Sequence, residues 1–268
     1  MKQDLESEND NVDRFPLAVK WKRARICAGG IALLLFMTLL MTPTTVNAKK
    51  VYSPIVEQGE LEFEYILDYS LDSDPRIDGS ARHQFELEYG VTDRWMTGVV
   101  GDFRKRRGQA FAYQGVKWEN IYQLFEEGAR WLDAGLYFEY IIPDASFNKP
   151  DVIELKLLLE KEQGRWIHTT NLILKKELGA NAVNHTIAAY AWRSKWRWKK
   201  MIEPALELYG TIGELGNSTG GLSAQSHQIG PVLLGKLPGS FSYQLGYLSG
   251  LTPASDKGMF KFVFGYEF

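Results

Sequence analysis

Cysteine occurs once in the 268 residues, at Cys27 in an apolar stretch near the start, so the rest of the chain has neither a disulfide nor a thiolate metal site. Apolar runs are short as well. None reaches the roughly 18 residues that a membrane-spanning helix needs, and helical periodicity of any length is missing. Neither sign of charge dominates: the formal net charge is −2, and beyond residue 48 there remain 25 Lys and Arg against 28 Asp and Glu. That balance removes the electrostatic footprint of a nucleic-acid binder. Histidine is scarce too. His83, His168, His185 and His227 show no metal-ligand spacing, and no cofactor or metal site is expected.

What is present begins with an export signal. Lys20, Lys22, Arg23 and Arg25 form a basic region, and Ile26 to Met41 form a short apolar core. Thr42-Pro43 breaks that core, and Val46-Asn47-Ala48 supplies small residues for cleavage before Lys49. Residues 1–48 are therefore expected to be a signal peptide with a long leading region, and residues 49–268 the mature domain. An uncleaved inner-membrane anchor is the rival, but sixteen apolar residues are short for a span. Cys27 lacks the Leu-x-Gly/Ala-Cys setting of a lipoprotein cleavage site.

From Gly59 onward the chain breaks into segments of alternating polarity separated by turn residues, the weak signal of transmembrane strands of about 9–11 residues. Leu61, Phe63, Tyr65, Leu67 and Tyr69 alternate with Glu62, Glu64 and Asp68; Ile153, Leu155, Leu157 and Leu159 alternate with Glu154, Lys156, Leu158 and Glu160. About twelve such segments can be counted, with tight turns after the even-numbered ones and longer loops after the odd-numbered ones. The fourth, from about Ala110 to Leu124, alternates poorly. Trp95, Trp131, Trp166, Trp196 and Trp198 all fall at the end with the tight turns, as half of an aromatic girdle would. The fold expected is an all-β, antiparallel, up-and-down transmembrane β-barrel.

The last ten residues make the pattern sharpest. Phe260, Phe262, Phe264, Tyr266 and Phe268 occupy every second position, so their rings share one face of a strand. This resembles the closing strand of bacterial outer-membrane β-barrels, in which the terminal aromatic residue belongs to the signal read by the barrel assembly machinery. The resemblance implies that Phe264, Tyr266 and Phe268 carry that signal here. Tyr52-Ser53-Pro54, Val56 to Glu60, Trp118-Glu119-Asn120 and Glu203 to Gly210 also look like segments of a family of exported Gram-negative barrel proteins without assigned activity. That likeness implies the cell outer membrane as location, with outer-membrane lipids, lipopolysaccharide and the assembly machinery as partners.

Three stretches bear on chemistry. His168-Thr169-Thr170-Asn171 is similar to the His-x-Ser-Asn-Gly stretch of outer-membrane phospholipase A, itself a twelve-stranded barrel. At i and i+2 on a strand His168 and Thr170 share a face, but the hydroxyl belongs to Thr and Leu172 stands where glycine is expected. Gly216 to Gly220 spells G-x-S-x-G without the strand-to-helix elbow which that pattern requires. Arg104 to Arg107 form a basic tip suited to lipopolysaccharide phosphates.

The inward face carries both signs of charge. Arg193, Lys195 and Arg197 on one strand lie beside Glu203 and Glu207 on the next, and Glu154 and Lys156 alternate on another. Buried charges are costly unless paired or hydrated, and twelve strands enclose a space between a filled eight-stranded barrel and a wide porin. The expected function is a narrow passive channel for small polar or charged solutes, without catalysis. A lipid hydrolase using His168 and Thr170, or a non-conducting structural or adhesion barrel, are the alternatives.

Overall fold

The structure, a computed structural model, describes residues 49–216 and 221–268. The export-signal features and Cys27 lie outside these residues, as do Asn217 to Gly220 of the G-x-S-x-G match. Twelve strands follow one another: β1 (Leu61–Leu71), β2 (Ala81–Gly90), β3 (Trp95–Lys105), β4 (Ala112–Gln123), β5 (Asp133–Pro143), β6 (Asp151–Gln163), β7 (Trp166–Leu178), β8 (Thr186–Trp196), β9 (Glu203–Glu214), β10 (Ser226–Leu237), β11 (Phe241–Gly250) and β12 (Gly258–Glu267). Each pairs antiparallel with its neighbours in sequence, and β1 pairs with β12, so the sheet closes on itself.

Closure leaves no edge, and the alternation along each strand decides what faces where. On β1, Glu64, Ile66, Asp68 and Ser70 are buried inside while the intervening aromatic and aliphatic side chains face out. Leu155 and Leu157 on β6, Leu172 and Leu174 on β7, and Phe260 on β12 are all exposed on the outer surface. Such an outward apolar band is what hydrocarbon solvates and water does not. The weak alternation of β4 has a local cause. The β3–β4 register shifts between Asp102 and Phe103, opposite Gly115, so an extra residue on β4 resets the face beyond it. Val116, Trp118 and Tyr122 nonetheless share the outer face.

The two rims differ. Joints 72–80, 106–111, 144–150, 179–185, 215–225 and 251–257 make one end, here the loop end. Joints 91–94, 164–165, 197–202 and 238–240 make the turn end together with the longer 124–132, and 197–202 matches the shortest loop-end joint, 106–111, in length. The 215–225 joint holds one turn of helix, α1 (Gly221–Ala224), against the expectation that no helix follows Gly216. It lies in a loop between antiparallel strands and makes no nucleophile elbow. Trp95, Trp166 and Trp196 stand at the turn end, with Trp166 stacked on Trp196 at a centroid distance of 5.8 Å.

Candidate functional site: an occupied lumen

The residues ahead of β1 do not pass outside the barrel. Lys49 to Gly59 run through its interior, from the loop-end half to the turn end, without joining the ladder. Gly59 marks the exit: its N–H donates to Gly90 O at 2.8 Å and Gly90 N–H donates to Glu60 O at 2.9 Å. Gly90 has to be glycine here, because a Cβ on it would come within 1.9 Å of Glu57 O. Deeper in, side chains take over the role of a neighbouring strand. Gln123 Oε1 accepts from Val56 N–H at 2.8 Å, and Asn171 exchanges two bonds of 2.8 Å with the Tyr52 backbone.

Three charged clusters surround this internal strap. Lys50 Nζ lies 2.5 Å from Glu64, 2.9 Å from Glu86 and 2.8 Å from Glu88, on β1 and β2. These three carboxylates are close enough together to hold a metal ion, a group that sequence spacing did not reveal, and here the Lys50 ammonium sits among them. Further round the same side of the ring, on β4 and β5, Tyr137 OH lies 2.6 Å from Glu119 Oε2 and 2.8 Å from Glu139 Oε2. Lys156 Nζ is wedged between the Tyr52 and Tyr137 rings, 3.9 and 3.8 Å from their centroids. The same ammonium reaches Glu154 at 3.0 Å, and Lys175 takes the other Glu154 oxygen at 2.5 Å. The third cluster joins β9 to β12: Glu207 Oε2 accepts from Lys261 Nζ at 2.8 Å and from Tyr209 OH at 2.7 Å. Arg193 approaches Glu207 Oε1 at 3.7 Å.

Such packing leaves little room. A cavity of about 30 Å³ remains around Lys49, Lys50 and Tyr52, enough for one or two waters. Beneath the strap, between Ser53, Glu57, Glu60 and Glu88, a second cavity measures about 150 Å³.

Most of the expected lumen residues do face inward, where they are paired. Lys195 meets Glu203 at 2.9 Å, Arg193 meets Glu207, and Glu154 and Lys156 share the central cluster. Arg197 is corrected. Strand β8 ends at Trp196, so Arg197 stands past it at the turn-end rim, half exposed and paired with Glu162. That Lys50 and Tyr52 sit at the centre was not legible beforehand, because residues 49–59 carry no periodicity.

His168 faces outward beside Trp166, its ring stacked on the indole. Its Nδ1 is hydrogen-bonded to Ser194 Oγ, directly across the β7–β8 ladder, whereas Thr170 lies opposite Trp192. The hydroxyl that meets His168 is thus on the neighbouring strand, not two residues along. The other histidines pair locally: His83 with Tyr65 OH at 2.7 Å, His227 with Tyr190 OH at 2.9 Å, and His185 with Glu214. Arg107 reaches Asp78 of the adjacent loop at 3.0 Å. Phe264, Tyr266 and Phe268 share the outer face at the seam, and Phe268 N–H donates to Leu61 O at 2.9 Å.

No family model matches the sequence, and no curated protein matches it. The chain is similar to several solved structures at very low identity. The translocator domain of the autotransporter NalP from Neisseria meningitidis is 9% identical, with 92% of this chain and 96% of that one covered and a TM-score of 0.43. A bacterial polysaccharide outer-membrane secretin is 8% identical over 79% of this chain and 99% of its own, with a TM-score of 0.39. A triple mutant of the Rhodopseudomonas blastica porin is 9% identical over 78% and 99%, with a TM-score of 0.30.

Proposed function

We propose that the chain is an outer-membrane barrel whose lumen is a narrow passage for small polar or charged solutes, held shut by its own Lys49–Gly59 strap. The apolar outer band and the asymmetric rims support the membrane setting. One observation carries the gating: the strap fills the lumen yet is fastened there mainly by side chains, with no ladder of its own. A segment fastened in this way is able to leave without opening the sheet. Its departure would open a lane one peptide wide whose walls carry Glu64, Glu86, Glu88 and Glu119, with Lys50 gone. Lys117, Lys156 and Lys175 beside them are paired with Glu139 and Glu154, and the unpaired acids make such a lane favour cations. The basic Arg104–Arg107 tip at the loop end is of a chemistry suited to lipopolysaccharide phosphates.

The passive barrel carries no chemistry of its own. Its test is a planar-bilayer recording of the refolded mature protein beside a variant lacking residues 49–58. The wild type is expected to be closed nearly all the time, and the variant to conduct steadily with a preference for cations. A variant that still folds into a heat-modifiable barrel but never conducts rejects the channel and leaves a closed structural barrel. That second reading is favoured by ion pairs such as Lys261–Glu207, which join wall to wall without the strap.

A further inference from the structure

The tip of the strap contains an unbalanced pair. Lys49 N lies 2.8 Å from Asp68 Oδ2, and both residues are buried, at 6% and 5% exposure. Asp68 Oδ1, equally buried, accepts a hydrogen bond from no described group. The cations across the two ladders from Asp68 are Arg82 and Lys261, which are ion-paired with Asp102 and Glu207. The Lys49 ammonium acts on Asp68 only through space: it stands over the Tyr209 ring at 5.2 Å and makes no ion pair with the carboxylate among the described residues. A backbone amide brings one N–H and no charge to a buried carboxylate, which leaves half of the acceptor unused. The nitrogen that faces Asp68 is also the one that follows Val46-Asn47-Ala48, the small residues of the cleavage signal.

We infer, on the reading of residues 1–48 as an export signal, that signal removal creates a structural group: the free α-ammonium of Lys49, seated in the lumen as the ion-pair partner of Asp68. Hydrolysis breaks the bond between Ala48 carbonyl carbon and Lys49 nitrogen. Water supplies the oxygen of the new Ala48 carboxylate and two protons to Lys49, whose nitrogen becomes –NH3+. Three N–H groups on one atom reach both Asp68 oxygens, and the positive charge answers the buried negative one. Processing is then more than release from the export apparatus, since it makes the head of the strap fit its socket.

The experiment uses the mature protein purified from the outer-membrane fraction. Intact mass and N-terminal sequencing establish whether the chain starts at Lys49. Asp68→Asn then separates ammonium from amide, because Asn keeps the shape and one acceptor but removes the counter-charge. Strap seating is read from the rate of thiol labelling at Ser53→Cys, in a mature chain that has no other thiol. With an ammonium at Lys49, Asp68→Asn should speed labelling by about tenfold or more, a loosening of about 1.4 kcal/mol. Should Asp68→Asn fail to fold, an α-amine-selective reagent at neutral pH gives the answer on the Asp68 protein. The Lys49 amine should then react slowly in the folded barrel and rapidly after heat unfolding. A mature chain starting elsewhere, labelling unchanged by Asp68→Asn, or equal α-amine reactivity folded and unfolded would each overturn the inference. None of these readouts depends on conductance, so a barrel that never conducts can still pass them.

Discussion

Asn171 holds Tyr52 as a neighbouring strand would: its Oδ1 accepts from Tyr52 N–H and its Nδ2 donates to Tyr52 O, both at 2.8 Å. One carboxamide on the β7 wall thus satisfies a backbone donor and acceptor in the middle of the lumen, where Asn171 is 0% exposed. Replacing Asn171 by Ala leaves two buried backbone groups without these partners, at about 1–3 kcal/mol each. Asn171→Ala should therefore unseat the strap while leaving the outer face intact. Labelling of Ser53→Cys should accelerate, and channel openings in a bilayer should become frequent. Unchanged labelling would show that Asn171 does not fasten the strap.

Lys261 and Arg193 make unequal contributions to one carboxylate. Lys261 Nζ sits 2.8 Å from Glu207 and is itself wholly buried, whereas Arg193 approaches only to 3.7 Å. Lys261→Met should cost about 3–5 kcal/mol by stranding a buried charge, which is on the order of 10 °C in melting temperature. Arg193→Gln leaves Lys261 and Tyr209 on Glu207 and should cost markedly less. Arg197→Gln, at the rim, should fall within about 1 kcal/mol of the parent. Melting curves of the three single variants check the order.

The terminal aromatic residue should matter out of proportion to its contacts. Phe268 is 72% exposed, yet it closes the seam through its backbone bond to Leu61 and sets its ring edge-on to Tyr266 at 4.9 Å. Deleting Phe268, or changing it to Asp, should lower the amount of inserted barrel far more than changing Lys257 in the preceding loop. Quantifying the heat-modifiable form in membranes decides it; wild-type levels of Phe268→Asp would contradict the expectation.

Outside the barrel, His168 and Ser194 form a hydrogen-bonded pair beside Trp166 and Trp196. The backbone around them is committed to the ladder, so oxyanion-stabilising N–H groups are not on offer. His168→Ala and Ser194→Ala should leave the protein's physiological contribution intact, and the purified barrel should release no fatty acid from phospholipid vesicles. An esterase activity lost in both variants would overturn the passive assignment.

Twelve strands were legible because alternation is a local signal. Glu62, Glu64, Phe63 and Tyr65 announce their faces without reference to the rest of the chain. The strap was not legible, since its partners are remote in sequence: Tyr52 meets Asn171 at a separation of 119 residues and Val56 meets Gln123 at 67. Glu64, Glu86 and Glu88 could be placed inside from periodicity, but their common cation Lys50 could not, because Val51 to Gln58 alternate with nothing. Arg197 was misplaced for a smaller reason. A basic residue in step with Arg193 and Lys195 continues the alternation one position past the end of β8, where Arg197 N–H makes a last bond to Arg165 O at 2.8 Å and its side chain is already at the rim.

The seam between β1 and β12 joins the first strand to the last, and the residues inside the ring are those that come just before the first. The ring is therefore cast around its own thread. Whichever order the strands are laid down in, the final pairing either encloses Lys49 to Gly59 or shuts them out. A barrel sealed with the thread outside can be corrected only by feeding it in through a mouth already crowded with charge. Refolding should consequently yield two closed species of the same sheet, threaded and empty, that interconvert far more slowly than the strands pair.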